Sequence, residues 1–244
     1  MTIQALFFGG IGTLLETSEL QREAFNAAFR EAGLDWHWGI DEYREMLGVP
    51  GGAARIAAFA VQNGDTGIDQ DKAAELHSRK TALFHERIAA GGLTARPGVE
   101  RLVRHCQREG IVLGFATTTD QETVQSVISA VGLAASDFDV IMHRGLVVTA
   151  KPDGEVYRTC LSNLNMAPEN ALAIEDSGPG LQSARAAGVA CIVTPGVNTV
   201  NHDYAGALTV VSHLGDAGNP YRWLGGRQPG TVEIIELEPW CNAA

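Results

Sequence analysis

Cysteine is sparse in this chain. Cys106, Cys160, Cys191 and Cys241 lie far apart, without the paired spacing of a zinc site or the density of a disulfide scaffold, and they suit a reducing cytoplasm. Positive charge is scarce too. Lys and Arg number 18 against 29 Asp and Glu, a formal net charge of −11, which argues against a nucleic-acid partner because phosphate backbones need a positive surface. Long apolar runs are missing: the stretch from Ala5 to Leu15 is broken by glycines and falls short of the roughly 20 residues a spanning helix needs. The start, Met1-Thr2-Ile3-Gln4, has no basic lead, so neither a targeting segment nor a membrane span is expected. The seven histidines, among them His37, His77 and His143, lack ligand spacing and read as ordinary surface or core residues.

What is present is a globular composition, 45% hydrophobic and 19% charged over 244 residues, enough to bury a substantial core. Ile3 to Phe8 is a short apolar run ending in glycines, as expected of a buried strand that feeds a loop at its carboxyl end. Ser18 with Gln21 three residues on has capping-box spacing, and the stripe Leu20, Ala24, Phe25, Ala28, Phe29, Ala32 continues as a helix stopped at Gly33. The helical pattern holds to about Gly92. Beyond Pro97 short apolar strands (Ile111 to Ala116, Phe138 to Met142, Ala171 to Ile174, Ala190 to Val193) alternate with amphipathic helices, the mark of a parallel sheet covered on both faces.

The expected architecture is therefore α/β: a doubly wound, Rossmann-like parallel-sheet core from residues 1–16 and 93–218, with an inserted α-helical cap over 17–92. Residues 219–244 form a C-terminal extension in which Thr231 to Glu238 reads as a strand. Such a strand would add to a sheet edge in this chain or in a second copy, making a homo-oligomer through the tail an expectation.

Four strand-end loops carry the chemistry. The first reads Phe7-Phe8-Gly9-Gly10-Ile11-Gly12-Thr13-Leu14; the second ends in Thr117-Thr118-Thr119; the third is Lys151-Pro152; the fourth is Glu175-Asp176-Ser177-Gly178. In this order and spacing they resemble the four motifs of the haloacid dehalogenase (HAD) superfamily, over about Ile3 to Val211. The resemblance is nearest to the branch with β-phosphoglucomutase, phosphoglycolate phosphatase and the xylulose bisphosphate phosphatases, which carry a helical cap between the first two motifs. It implies that Thr117 and Thr118 with Lys151 bind phosphate, that Glu175 and Asp176 hold Mg²⁺, and that the nucleophile and general acid are aspartates in the first loop. Here Gly9 stands at the nucleophile position and Ile11 at that of the acid.

Glycine has no atom with which to attack phosphorus, and isoleucine cannot move a proton. Aspartyl-phosphate chemistry is thus expected to be lost, leaving a binding or regulatory module for a small phosphorylated metabolite. Mg²⁺, which wants several carboxylate oxygens, is expected to bind weakly or not at all. One ammonium against two carboxylates leaves the same single negative charge as the family's four carboxylates, lysine and Mg²⁺, so Lys151 is expected to be held by Glu175 or Asp176.

Three alternatives stand beside this reading. One is a working phosphatase on a sugar phosphate that activates water through Glu175 or Asp176. Another is an interaction module that uses cap and tail. In the third, the motif residues serve only their own loops, with Ile11 filling the hole left by the lost carboxylate. In the cap, Gly48 to Gly52 resembles the loop that presents a basic residue to substrate, and Arg55 is the candidate, weighed against an ordinary solvated arginine. Trp36-His37-Trp38 is read as aromatic packing between cap helices rather than as a sugar platform.

Overall fold

The computed structural model describes residues 3–49 and 51–227. They divide into two compact units, one from 3–16 and 93–227, the other from 17–49 and 51–92.

The first unit is a seven-stranded sheet. Its strands are β1 (Ala5–Phe8), β2 (Val112–Ala116), β3 (Val140–Met142), β4 (Ala171–Glu175), β5 (Ala190–Val193), β6 (Thr209–Val211) and β7 (Trp223–Gly226), in the order β3-β2-β1-β4-β5-β6-β7. All neighbours are parallel except β6 and β7. All four residues of β1 are buried, as a central parallel strand covered on both faces requires. On one face Phe7 packs with Val156, Tyr157, Cys160, Leu181, Ala184 and Val193.

Helices join the strands. The one-turn helix α1 (Ile11–Leu14) follows β1 directly. In the helical unit come α2 (Ser18–Glu31), α3 (Ile40–Met46), α4 (Gly52–Gln62) and α5 (Gln70–Ala89). Back in the sheet unit are α6 (Val99–Glu109), α7 (Gln121–Ala130), α8 (Glu155–Asn163) and α9 (Gly178–Ala186). α6 buries Val99, Leu102, Val103 and Cys106 and stops at Gly110, whose φ of 68° suits glycine. Crossovers of this kind put the carboxyl ends of β1, β2, β4 and β5 at one edge of the sheet, where α/β folds collect function.

Two local expectations are corrected. α2 begins at Ser18 itself with Thr17 in the cap position, and Thr17 makes no side-chain capping bond; the Ser18–Gln21 spacing is an intrahelical one. The strand observed past position 219 is β7, which the glycines and Pro220 had marked as an irregular lead. Pairing with β6 decides its conformation, as sheet context overrides weak β-propensity. The expected strand at Thr231 to Glu238 lies outside the described residues.

The helical unit has its own core of Phe25, Phe29, Trp38, Tyr43, Met46, Ile56, Ala73 and Leu76. Trp38 is fully buried, with its ring 4.7 Å from that of Phe25 and 4.9 Å from that of Phe29. Trp36 meets Phe29 edge-on, so these tryptophans pack within the unit. Asn26 bonds both main-chain groups of Trp38, accepting from N at 2.7 Å and donating to O at 3.0 Å.

Candidate functional site

Strand register builds the site. Phe8 stands opposite Phe115 on one side and Ile174 on the other, so Gly9, one residue past Phe8, emerges at the same edge as Glu175, one past Ile174, and Thr117, two past Phe115. Gly9 N donates to Ile174 O at 2.9 Å, which fixes Glu175 beside Gly9.

Lys151 reaches into this corner. Its Nζ donates to Glu175 Oε1 at 2.5 Å and to the Gly9 carbonyl at 2.7 Å, and lies 5.2 Å from the centre of the Tyr157 ring. Tyr157 donates its hydroxyl to the same Glu175 Oε1 at 2.6 Å. Burial pushes the phenol well above its ordinary value, so at neutral pH it is a donor. Glu175 is 1% exposed and Lys151 12%; a carboxylate this deep needs both its cation and its hydrogen bonds.

Gly9 is what makes room. A β-carbon at Gly9 would overlap Glu175 Oε1 and the Tyr157 hydroxyl, and one at Gly180 would overlap Glu175 Oε2. The carboxylate therefore lies between two bare glycines, in space that an aspartate at position 9 would need for its own side chain. Ile11 opens α1 and is half-buried.

Asp176 sits over the same loop. Its Oδ1 comes within 2.6 Å of a β-carbon position at Gly10, and Oδ2 overlaps that of Gly12. It is half-buried, and burial, then the charge of Glu175, raises its pKa to about 6 against the opposing pull of Lys151 and Arg96.

Of the phosphate candidates on β2's loop, Thr117 bonds within the loop itself. Thr117 is buried; its hydroxyl accepts from Thr119 N and donates to Thr119 Oγ1, both at 3.1 Å. Thr118 is half-buried beside it. The structure thus brings together Gly9, Lys151 and Glu175 by direct contact, sets Asp176 over Gly10 and Gly12, and leaves Thr117 and Thr118 on the loop after β2.

Two members escape sequence reading. Tyr157 reads as one more apolar position of α8, although a buried tyrosine signals a need for an acceptor. Arg96 has no motif at all. Its Nη1 donates to Gly12 O (2.8 Å) and Thr194 O (2.7 Å), and its Nη2 to Pro195 O and Ser212 O (both 2.9 Å), tying the first loop to those after β5 and β6.

Among the described residues no group of three His, Cys, Asp or Glu is placed to hold one metal ion. With Glu175 turned inward to Lys151 and Tyr157, the donors as arranged do not fit Mg²⁺, which needs oxygens converging near 2.1 Å.

Arg55 is half-buried within the helical unit. It donates Nε to Met46 O at 2.7 Å and Nη2 to Val49 O at 3.2 Å, with its guanidinium carbon 5.9 Å from the Phe25 and Tyr43 ring centres.

A doubly wound sheet with four motif loops at one edge defines a hydrolase scaffold of the HAD type. A family model for haloacid dehalogenase-like hydrolases matches residues 12–194, and the chain belongs to that family. The match begins just past Gly9 and Ile11, where the chain departs from the family pattern.

Among its relatives is protein CbbY of Cereibacter sphaeroides, 41% identical over 88% of this chain and 94% of that protein. Another is the putative phosphatase YhcW of Bacillus subtilis, 31% identical over 79% of this chain and 84% of its own. A crystal structure of a CbbY variant from Rhodobacter sphaeroides in complex with xylulose-(1,5)bisphosphate superposes with a TM-score of 0.79 at 39% identity, covering 89% of this chain and 99% of that one.

Proposed function

We propose that this chain is a binding protein for a small phosphorylated sugar, built on the phosphatase scaffold, that does not form an aspartyl-phosphate. The observation that carries this is Gly9. At the carboxyl end of β1, where the family's attacking carboxylate stands, the only polar groups of residue 9 are its amide and a carbonyl already held by Lys151. Position 11 offers no proton either. The ligand class follows from the relative seen with a sugar bisphosphate. Lys151 and the loop of Thr117 and Thr118 supply the anion seat, and Mg²⁺ is needed little because Lys151 balances Glu175 internally.

Titration calorimetry of the protein with xylulose-1,5-bisphosphate and other sugar phosphates tests the reading, alongside release of inorganic phosphate with and without Mg²⁺. Saturable binding without turnover supports it. Turnover well above the uncatalysed rate, or no binding at millimolar ligand, overturns it.

The relatives themselves favour a second reading, a working phosphatase on a sugar phosphate, since one is named a putative phosphatase. Asp176 supports it: half-buried, with a pKa raised to about 6, it would act as general base for water, with Lys151 stabilising developing charge. Turnover abolished by Asp176→Asn would establish this route.

A further inference from the structure

We infer that Glu175 is the resident anion of this pocket, seated where the lost nucleophile's side chain would lie, and that a ligand phosphate must displace it from Lys151. Three observations converge. Gly9 and Gly180 are both bare where the carboxylate lies, and a β-carbon at either would overlap it. The carboxylate is buried, with Lys151 and Tyr157 both donating to Oε1. Lys151, the one ammonium in the corner, spends its contacts on Gly9 O and Glu175.

Removal of the aspartate at position 9 thus did not leave a vacancy. A neighbouring carboxylate from β4 took the cation that a phosphate would use. An internal anion held at contact distance competes at high effective concentration with any free one, so Glu175 sets how tightly the site takes phosphate. The idea rests on the proposed anion seat at Lys151, but not on which sugar occupies it or on whether catalysis survives.

Inorganic phosphate is the probe, titrated calorimetrically into wild type, Glu175→Gln and Gly9→Ala. Glu175→Gln keeps the shape and removes the charge, and is expected to bind phosphate about tenfold tighter. Gly9→Ala adds only a β-carbon, which overlaps Glu175 Oε1 and the Tyr157 hydroxyl that holds it. It is expected to strengthen phosphate binding in the same direction while lowering Tm by about 2–4 °C or more, although Gly→Ala at an ordinary φ normally stabilises. Gly225→Ala, at a position with open space around it, is the control and should not lose stability.

Unchanged or weaker phosphate binding by both variants, including no binding by any of the three proteins, overturns the inference. So does a Gly9→Ala protein as stable as wild type. If wild type ignores every sugar phosphate yet Glu175→Gln takes up phosphate, the proposed function fails and the resident anion stands. If wild type binds sugar phosphates and the variants bind phosphate no better, the reverse holds.

Discussion

Arg96 holds Gly12 by a 2.8 Å bond from Nη1 to the Gly12 carbonyl, and the same guanidinium reaches three further carbonyls, of Thr194, Pro195 and Ser212. Lysine has three donors on a tetrahedral head and cannot repeat this planar fork. Arg96→Lys should therefore leave one or more part-buried carbonyls unpaired, at about 1–3 kcal/mol each. The expected outcome is an unfolding free energy lowered by a total of roughly 2–4 kcal/mol, read as a lower urea midpoint with an unchanged m-value. A loss below half a kilocalorie would mean the clamp is dispensable.

Asp176 makes stability depend on pH in an unusual sense for a carboxylate. Its folded-state pKa is raised to about 6 from an ordinary 3.8. Between those values the folded chain keeps a proton that the unfolded chain has released, so the group's contribution is fully present below pH 3.8. It is lost as pH rises through about 6. Because the side chain keeps some contact with solvent, the effect should be about 1–2 kcal/mol. Chemical denaturation of wild type and Asp176→Asn from pH 4 to pH 7 cancels the other acids. Wild type should lose stability relative to the variant across that window, and parallel curves would reject the assignment.

The core of the sheet unit was legible because its strands are buried on both faces and its helices carry single stripes: Phe7 and Phe8, then Val99, Leu102, Val103 and Cys106, announce themselves by composition and period. Lys151, Glu175 and Asp176 were legible because motif spacing survives the loss of Gly9's counterpart. The seat of Glu175 was not. It depends on what two glycines leave empty and on a hydroxyl from α8, contacts that bring residues 9, 157, 175 and 180 together with no shared sequence signal. Arg96 was hidden for the same reason, since four of its five acceptors are main-chain carbonyls, which every residue has. β7 was missed because pairing with β6 decides its conformation.

Arg55 tests how the helical unit is built. Its guanidinium closes the turn after α3 by bonding Met46 O and Val49 O, and burial lowers its pKa. Arg55→Met keeps the aliphatic packing and deletes both bonds. A loss of about 1–3 kcal/mol is expected, seen as a lower Tm; a Tm equal to wild type would mean that the two bonds add nothing to stability.

The Lys151–Glu175 pair should behave as one unit. Lys151→Met strands a carboxylate that is 1% exposed, leaving only the Tyr157 hydroxyl on its Oε1, and breaking such a pair costs about 3–5 kcal/mol. Adding Glu175→Gln to Lys151→Met removes the stranded charge, so the double variant should recover 1 kcal/mol or more of that loss. Urea denaturation of the four proteins gives the coupling energy directly. Additive effects would mean that the two groups do not share the buried contact described.

Reinstating both acids, Gly9→Asp with Ile11→Asp, confronts Glu175 with a side chain in its own seat. The β-carbon at position 9 overlaps Glu175 Oε1, so Glu175 must turn away from Lys151, and the new aspartate takes over that cation. The displaced carboxylate then faces the loop together with Asp176 and the new acids, giving the convergent oxygen donors that Mg²⁺ requires and that wild type lacks. Calorimetric titration with MgCl₂ should show the double variant binding at least about tenfold tighter than wild type. Adding Glu175→Gln should take most of that gain away, because the freed carboxylate is one of the donors. Mg²⁺ affinity unchanged by the double substitution in a folded protein would mean that Glu175 stays where it is, and that position 9 is not the seat it occupies.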